Sequence, residues 1–288
     1  MRVGAALLEL ANAAQARSIF VVGIGRDVGK TTALRAIYRA ACDTRTPIGL
    51  ASCGIAASRK PRLWLQPKTV FVTARDALPR TPAAEIVRLS SLRTAGSGLL
   101  YGRVAASGFY ELAGPPTAAG VREVVDELRA LSEIVLIDGA VDRVAALAGA
   151  DGAIVVACGA AAAKSMPEAV DEIASLVARL RIPRYDSSEP AIHLDGALTA
   201  SAAAAFIAAR ERRAIVVRDP TQIALAGKAG SRALAQLRVR CRRPLRVVAA
   251  TVASIAPERS FEPRAFARAV ADATDLPTFD VYAGARAA

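Results

Sequence analysis

Short apolar runs alternate along this chain with longer stretches in which apolar residues recur every three or four positions. The first run, residues 19–22, is Ile-Phe-Val-Val, the pattern of a strand buried on both faces. Residues 33–42 then carry helical spacing. The same rhythm predicts further strands over 46–53, 68–73, 102–109, 134–137, 154–157, 192–194, 215–217, 247–252 and 279–281. Helices are predicted over 83–92, 121–131, 167–180, 200–212, 232–237 and 263–273. Strands that alternate with helices in this way imply a mostly parallel sheet, and so a three-layer α/β/α architecture with an α/β extension at the C-terminal end. Residues 1–16 make a poor secretory signal, because Glu9, Asn12 and Gln15 interrupt their apolar run; an amphipathic lead-in helix is expected instead. The polar, proline-bounded segment 183–190 (P-R-Y-D-S-S-E-P) reads as a linker.

Chemistry enters between the first strand and the first long helix. Residues 18–32 read S-I-F-V-V-G-I-G-R-D-V-G-K-T-T, so a buried strand breaks into glycine-rich chain and Gly29-Lys30-Thr31-Thr32 opens a helix. This strand–loop–helix context makes a phosphate-binding loop credible. Glycine lets backbone N–H groups close around phosphate oxygens, and the helix N-terminus adds unpaired donors and a positive dipole end. Gly23, Gly25, Arg26, Asp27, Val28, Gly29, Lys30, Thr31 and Thr32 are the expected nucleotide-binding residues. Lys30 is expected at the terminal phosphates and the Thr31 hydroxyl on Mg²⁺. The loop is one residue longer than the commonest form, since position 24 is Ile24 and the glycines stand at 23 and 25. The plain alternative is an ordinary glycine-rich turn. These features divide the chain into a lead-in helix (1–17), a nucleotide-binding domain (18–185) and a C-terminal α/β extension (186–288).

A second candidate stands at residue 138. Four apolar residues followed by aspartate, in I-V-L-I-D-G-A, place Asp138 at a strand's carboxyl end, where ligands of parallel sheets gather. There it would order Mg²⁺ and its waters and act with Lys30 in catalysis; a turn or capping role is the alternative. Asp142 and Arg143 are nearby and read as a surface ion pair. His193 is the single histidine and, flanked by Ile192 and Leu194, reads as structural. Arg218-Asp219-Pro220-Thr221 reads either as a base-recognition loop or as a proline-initiated turn.

Composition narrows the classes further. The chain has 288 residues, 53% of them hydrophobic and 22% charged, enough for a large core. No window offers about 18 uninterrupted apolar residues, so no membrane span is expected. Cys42, Cys53, Cys158 and Cys241 lack metal-ligand spacing and read as free thiols of a reducing cytoplasm. The net charge of +12 is almost all arginine. The densest cluster, Arg238, Arg240, Arg242, Arg243 and Arg246, has no aromatic residues between its members, which argues against nucleic acid. An acidic protein partner, anionic substrates or plain compositional bias remain.

The longer loop resembles that of dethiobiotin synthetase and its relatives in the SIMIBI class of P-loop proteins, which read G-T-x-T-x-V-G-K-T. Gly23, Asp27, Val28, Gly29, Lys30 and Thr31 match, and Asp138-Gly139-Ala140 resembles the strand end E-G-A-G-G of the synthetases. The extra lysine of the MinD-like branch would fall at Gly25 and is absent, although Arg26 is adjacent. The synthetases' K-P-V lysine, which handles carbamate chemistry, has no counterpart within 49–53 (G-L-A-S-C); Arg59 and Lys60 lie in the loop that follows. The single asparagine is Asn12, so neither the guanine-reading N-K-x-D motif nor the synthetases' adenine-binding asparagine is present.

More narrowly, I-G-R-D (24–27), Y-E-L-A-G-P (110–115), L-I-D-G-A-V-D-R (136–143), D-G-A-L-T (195–199) and V-V-R-D-P-T (216–221) resemble a family of P-loop proteins found with adenosylcobalamin- and pyridoxal-phosphate-dependent lysine or ornithine aminomutases. That resemblance implies a chaperone-like ATPase that reactivates a partner enzyme. The expectation is therefore a cytoplasmic Mg²⁺-ATP-binding hydrolase of low intrinsic rate that drives a conformational step on a protein partner, with GTP not excluded. The rivals are an ATP-dependent small-molecule ligase or kinase and a nucleotide-sensing scaffold with little hydrolysis.

Overall fold

The computed structural model describes residues 2–53, 62–80, 83–94, 96–139, 147 and 152–282. Helix α1 (Val3–Ala13) leads into β1 (Ser18–Gly23), α2 (Lys30–Asp43) and β2 (Ile48–Ser52). Strands β3 (Arg62–Leu65), β4 (Val70–Ala74), β5 (Ala84–Arg93), β6 (Gly98–Val104) and β7 (Gly108–Glu111) follow. Then come α3 (Ala118–Arg129), β8 (Ile134–Asp138), β9 (Ala153–Gly159) and α4 (Met166–Leu180). The remainder is β10 (Ala191–His193), α5 (Ala200–Ala208), β11 (Ala214–Val217), α6 (Gly227–Gln236), β12 (Val239–Cys241), β13 (Arg246–Ala253), β14 (Ile255–Ala256), β15 (Arg259–Ser260), α7 (Pro263–Thr274) and β16 (Thr278–Asp280).

Among the described residues nine strands form one sheet, in the order β16-β13-β9-β1-β8-β2-β4-β6-β5. Every neighbouring pair from β16 to β4 is parallel, and β6 and β5 add an antiparallel edge. Alternation along each strand divides the side chains between two cores. Phe20, Val22, Val135, Ile137, Ile154 and Val156 face α3, α4 and α7, while Ile19, Val21, Ile134, Leu136 and Val155 face α1 and α2. The result is the expected three-layer α/β/α arrangement with a mostly parallel sheet. Both faces of the central strands are covered, which is why these strands are apolar at every position.

Strands after residue 186 divide between two sheets. β10, β11 and β12 form a small parallel sheet with its own core of Leu198, Ile215, Val217, Ile223 and Val239, whereas β13 and β16 return to the large one. This small unit is entered after α4 and left before β13, and α6 packs back on α4.

One predicted helix is a strand. Residues 84–93 form β5, although Ile86, Leu89 and Leu92 recur at helical spacing. Register shifts between Ile86 and Arg88 and between Leu89 and Arg93 explain it, because extra residues in a bulged strand break the two-residue alternation. The expected strand over 102–109 is also two elements: β6 ends at Val104, and β7 pairs with β3 in a separate ribbon.

Ile37 lies at the centre of α2, wholly buried against the large sheet. Ile37→Ala should lower unfolding stability by about 2–5 kcal/mol, measured as a reduced urea midpoint with an unchanged slope.

Candidate phosphate-binding site

Strand β1 ends in the middle of the large sheet, with β8 on one side and β9 on the other, and α2 starts immediately beyond the connecting loop. Such a switch point, at strand carboxyl ends, is where open α/β sheets bind ligands. The loop is held down by Val28, which is buried. A Cβ on Gly159 would stand 2.7 Å from the Val28 Cα, and one on Gly23 would stand 2.7 Å from its Cγ2, so both glycines permit the seating. Two residues take left-handed backbone conformations, Asp27 (φ 54°) and Gly29 (φ 83°). At Gly29 a side chain would be both strained and within 2.9 Å of the Ala253 Cβ. The extra residue of the long loop is thus accommodated without breaking the run into α2.

The consequence is a set of unused donors. Among the described residues the backbone N–H groups of Gly25, Arg26, Asp27, Val28 and Gly29 donate to no protein acceptor. The first hydrogen bond of α2 runs from the Ala33 N–H to the Gly29 carbonyl at 2.8 Å. Successive unpaired amides beside a helix N-terminus form an anion-binding nest. Lys30 opens α2, is nearly buried, and donates its ammonium to the Gly25 carbonyl across the loop. Arg26 and Asp27 are exposed on the rim, and Thr31 and Thr32 lie half-buried in the first turn of the helix.

Asp138 is brought to the same place by register. β8 pairs directly with β1, with Val21 opposite Asp138, and the Gly139 N–H donates to the Val21 carbonyl at 3.0 Å. A Cβ at Gly139 would overlap that carbonyl, so the glycine after the aspartate is a steric necessity. Asp138 is 7% exposed. Burial pushes its carboxyl up to about 6, although Lys30, Arg35 and a hydrogen bond from the Thr31 hydroxyl all pull the other way. A hydroxyl and a carboxylate in contact beside a phosphate nest are hard oxygen donors of the kind Mg²⁺ prefers, so these residues fit that metal. The pairing of β8 with β1 thus sets the loop that begins at Gly23 beside Asp138, with Lys30 and Thr31 as the loop residues that act on its carboxyl.

Other candidates lie elsewhere. Arg59, Lys60, Asp142 and Arg143 fall outside the described residues. Asp219 is buried in the turn after β11, where it accepts from the Thr221 N–H and hydroxyl and from the Arg218 Nε at 3.0 Å. That carboxylate is occupied within its own turn, so the segment is a capped turn. His193 is exposed at the end of β10, where its Nδ1 lies 3.2 Å from Arg242 Nη2 and its ring meets Tyr185 edge-on.

Sequence reasoning missed a cleft of about 530 Å³ that begins at Gly23 and Ile24 and runs between α4 and the turn leading into α6. Its polar wall includes Arg179, which in sequence reads as one more solvent-facing position of an amphipathic helix.

No family model and no curated protein matches the chain, the dethiobiotin synthetases and aminomutase-associated proteins included. Among solved structures, a crystal structure of the signal recognition particle receptor FtsY from Elizabethkingia anophelis is similar over 91% of this chain and 70% of that one. The identity is 14% and the TM-score 0.28, a likeness too slight to bear on activity. Among the described residues no helix is long and apolar enough to cross a membrane.

The raised pKa of Asp138 has a defined sign. The folded state holds this proton more tightly than the unfolded chain, so its stabilising contribution is full below about pH 4 and is lost as pH rises through about 6. In metal-free buffer, Asp138→Asn should remove a decline of roughly 1–3 kcal/mol across that window and leave the variant more stable than wild type at pH 8. Urea unfolding at pH 4, 6 and 8 measures this; parallel profiles for the two proteins would refute the burial of a titrating carboxyl.

Proposed function

We propose that this protein is a Mg²⁺-dependent nucleoside triphosphatase that uses ATP to drive a conformational step on a partner enzyme. The observation that carries the nucleotide reading is the row of five unpaired amides, Gly25 to Gly29, closed by Lys30 and flanked by the Thr31–Asp138 oxygen pair. The amides and the α2 N-terminus bind phosphate oxygens, and Lys30 neutralises charge that grows on them in the transition state. To do so Lys30 gives up its bond to the Gly25 carbonyl. Thr31 and Asp138 would hold Mg²⁺, which supplies further neutralisation of the phosphates when bound. Asp138 is suited to this, because a nearby divalent cation offsets the cost of burying its charge.

Two absences in the sequence support the finer parts. No N-K-x-D motif exists to read guanine, which favours ATP. The end of β2 carries Ser52 and Cys53 where a ligase would place a lysine beside its substrate anion, which favours work on a partner over metabolite turnover. The partner itself is a cytoplasmic enzyme, for which a cobalamin-dependent aminomutase is the first candidate to test; the arginine-rich surface suits an acidic contact.

Three measurements test this. Lys30→Ala should weaken Mg²⁺-nucleotide binding at least about tenfold, since a charge-assisted phosphate contact contributes about 1.5–3 kcal/mol; unchanged calorimetric affinity for both ATP and GTP removes the phosphate-site assignment. Asp138→Asn should reduce hydrolysis far more than affinity across a Mg²⁺ titration. Basal ATP hydrolysis should be slow and rise at least about tenfold with the partner enzyme, a gain within reach of completing a phosphoryl-transfer site. Robust ADP release that depends on a small metabolite instead would favour the ligase.

A further inference from the structure

Exposed large apolar side chains are gathered at one end of the molecule. Among the described residues five are exposed, and four of them, Trp64 (54%), Ile86 (50%), Leu89 (58%) and Phe109 (51%), belong to β3, β5 and β7. Alternation explains the two on the β3–β7 ribbon. Leu63, Leu65 and Tyr110 are buried beneath it, so Trp64 and Phe109, opposite each other in register, point outward and meet edge-on with ring centres 5.2 Å apart. Register places the other two. Ile86 lies opposite Gly102, where a Cβ would stand 2.7 Å from the Phe71 ring, and Phe71 in turn meets Tyr110 of the ribbon at 4.9 Å. Leu89 lies opposite Leu100, two residues along β6 from Gly102 and so on the same face. All four therefore lie on the ribbon side of the large sheet.

The surface they make has a step. The ribbon is a raised ridge, one layer above the sheet, with the two aromatic rings at its crest. β5 is the outermost strand and the ribbon leaves it uncovered, which makes Ile86 and Leu89 a lower shelf beside the ridge. By ordinary side-chain areas the four leave roughly 400 Å² of apolar surface in water, about half of the ~800 Å² that each partner gives to a stable interface. That share matches the apolar fraction of such interfaces. The charges of the three strands nearly balance: Arg62, Arg88 and Arg93 stand against Glu85 and Glu111, in a chain whose net charge is +12. An acidic partner therefore finds little to hold here, and a second copy meets little to repel it. The bulges in β5 oppose simple strand addition at its edge, which leaves the face as the surface for contact.

We propose that this stepped face is a dimer interface, on which a second copy of the chain seats about a two-fold axis. The Trp64–Phe109 ridge of each copy fills the Ile86–Leu89 shelf of the other, the reciprocal contact that an isologous interface requires. A ridge and a shelf side by side on one surface become complementary to themselves when one copy is turned by half a rotation. Aromatic side chains suit the crest, since they bury large rigid area at low cost in side-chain entropy. β5 lies five strands from β1, about 24 Å at ordinary strand spacing, so the interface is remote from the phosphate loop and does not depend on the nucleotide reading.

Sedimentation equilibrium of the full chain, without nucleotide, tests this. A monomer–dimer equilibrium should appear between about 1 and 100 μM. Trp64 is the single tryptophan of the chain, so its emission should move to the blue over the same range. Phe109→Glu on the ridge and Leu89→Lys on the shelf should each weaken association at least about tenfold. Both positions are exposed, and an unchanged urea midpoint checks that the fold is kept. An equimolar mixture of the two variants should dimerise again, because opposite charges then meet at one ridge–shelf contact and the other stays as in the wild type. Lys30→Ala should dimerise like the wild type while losing nucleotide affinity, so failure of this face and failure of the phosphate site give different patterns. The proposal is overturned if the chain stays monomeric at about 100 μM with constant Trp64 emission, if neither variant weakens association, or if the mixture fails to restore it. Binding of the partner enzyme to a monomeric chain, lost in Phe109→Glu, would equally overturn it and give the face to another protein.

Discussion

A carboxylate held largely out of reach of water sets the terms for this structure. Asp138 lies at the carboxyl end of the strand paired with β1, and its neighbours Lys30, Arg35 and Thr31 do not fully offset the loss of solvent. The imbalance persists because the surrounding parallel strands leave no alternative position: register fixes the backbone at Val21 and Asp138, and the Gly139 amide ties the two strands beyond them. The same strands are buried along most of their length, so a packed core borders a charge taken largely out of water. Preorganised charge of this kind is costly for the empty protein and favourable once an opposing charge arrives.

The strand–loop–helix at 18–32 was readable in the sequence because every part of it is local. Strand, glycines, Lys30 and the first turn of α2 occupy fifteen consecutive positions, and the left-handed Gly29 is visible as a glycine. The place of Asp138 at the end of β8 was readable for a related reason, since an apolar run ended by an acid marks a strand terminus. What could not be read depends on distant parts of the chain meeting. β5 carries helical spacing in sequence, and only its bulged pairing with β6 explains the spacing. β13 and β16 look like any other strands of the extension, and their return to the large sheet is decided by the distant β9, with Arg246 of β13 opposite Ala153, and by β16 adding on to β13. Arg179 looks like a surface residue until the turn before α6 meets it at the Leu225 carbonyl.

Helix α4 is the element common to these arrangements. One face packs on β9, next to the loop strand, and its far side meets α6 through the Ser175–Ser231 hydroxyl contact at 2.6 Å and the Lys228–Asp171 ion pair at 2.8 Å. It is amphipathic toward the large sheet and polar toward the small one, so the first contact is apolar and rigid and the second is a set of exchangeable hydrogen bonds. A shift of the small sheet would therefore slide along the polar face and leave the core of α4 in place.

The position of β1 in the sheet also bears on how the protein is made. The strand and its loop are complete by residue 29, yet both strands that flank it, β8 and β9, lie beyond residue 133. A nascent chain therefore exposes one of its most apolar segments to the ribosome's surroundings for the time needed to add more than a hundred residues. At ordinary elongation rates of about 5–20 residues per second that interval is several seconds. During it α1 and α2 can pack on each other, through the close approach at Gly4 and Ala36, and on one face of β1, but the sheet has no centre. The strand precedes both of its partners in the chain, and its protection in that interval falls to whatever binds unpaired apolar chain in the cell.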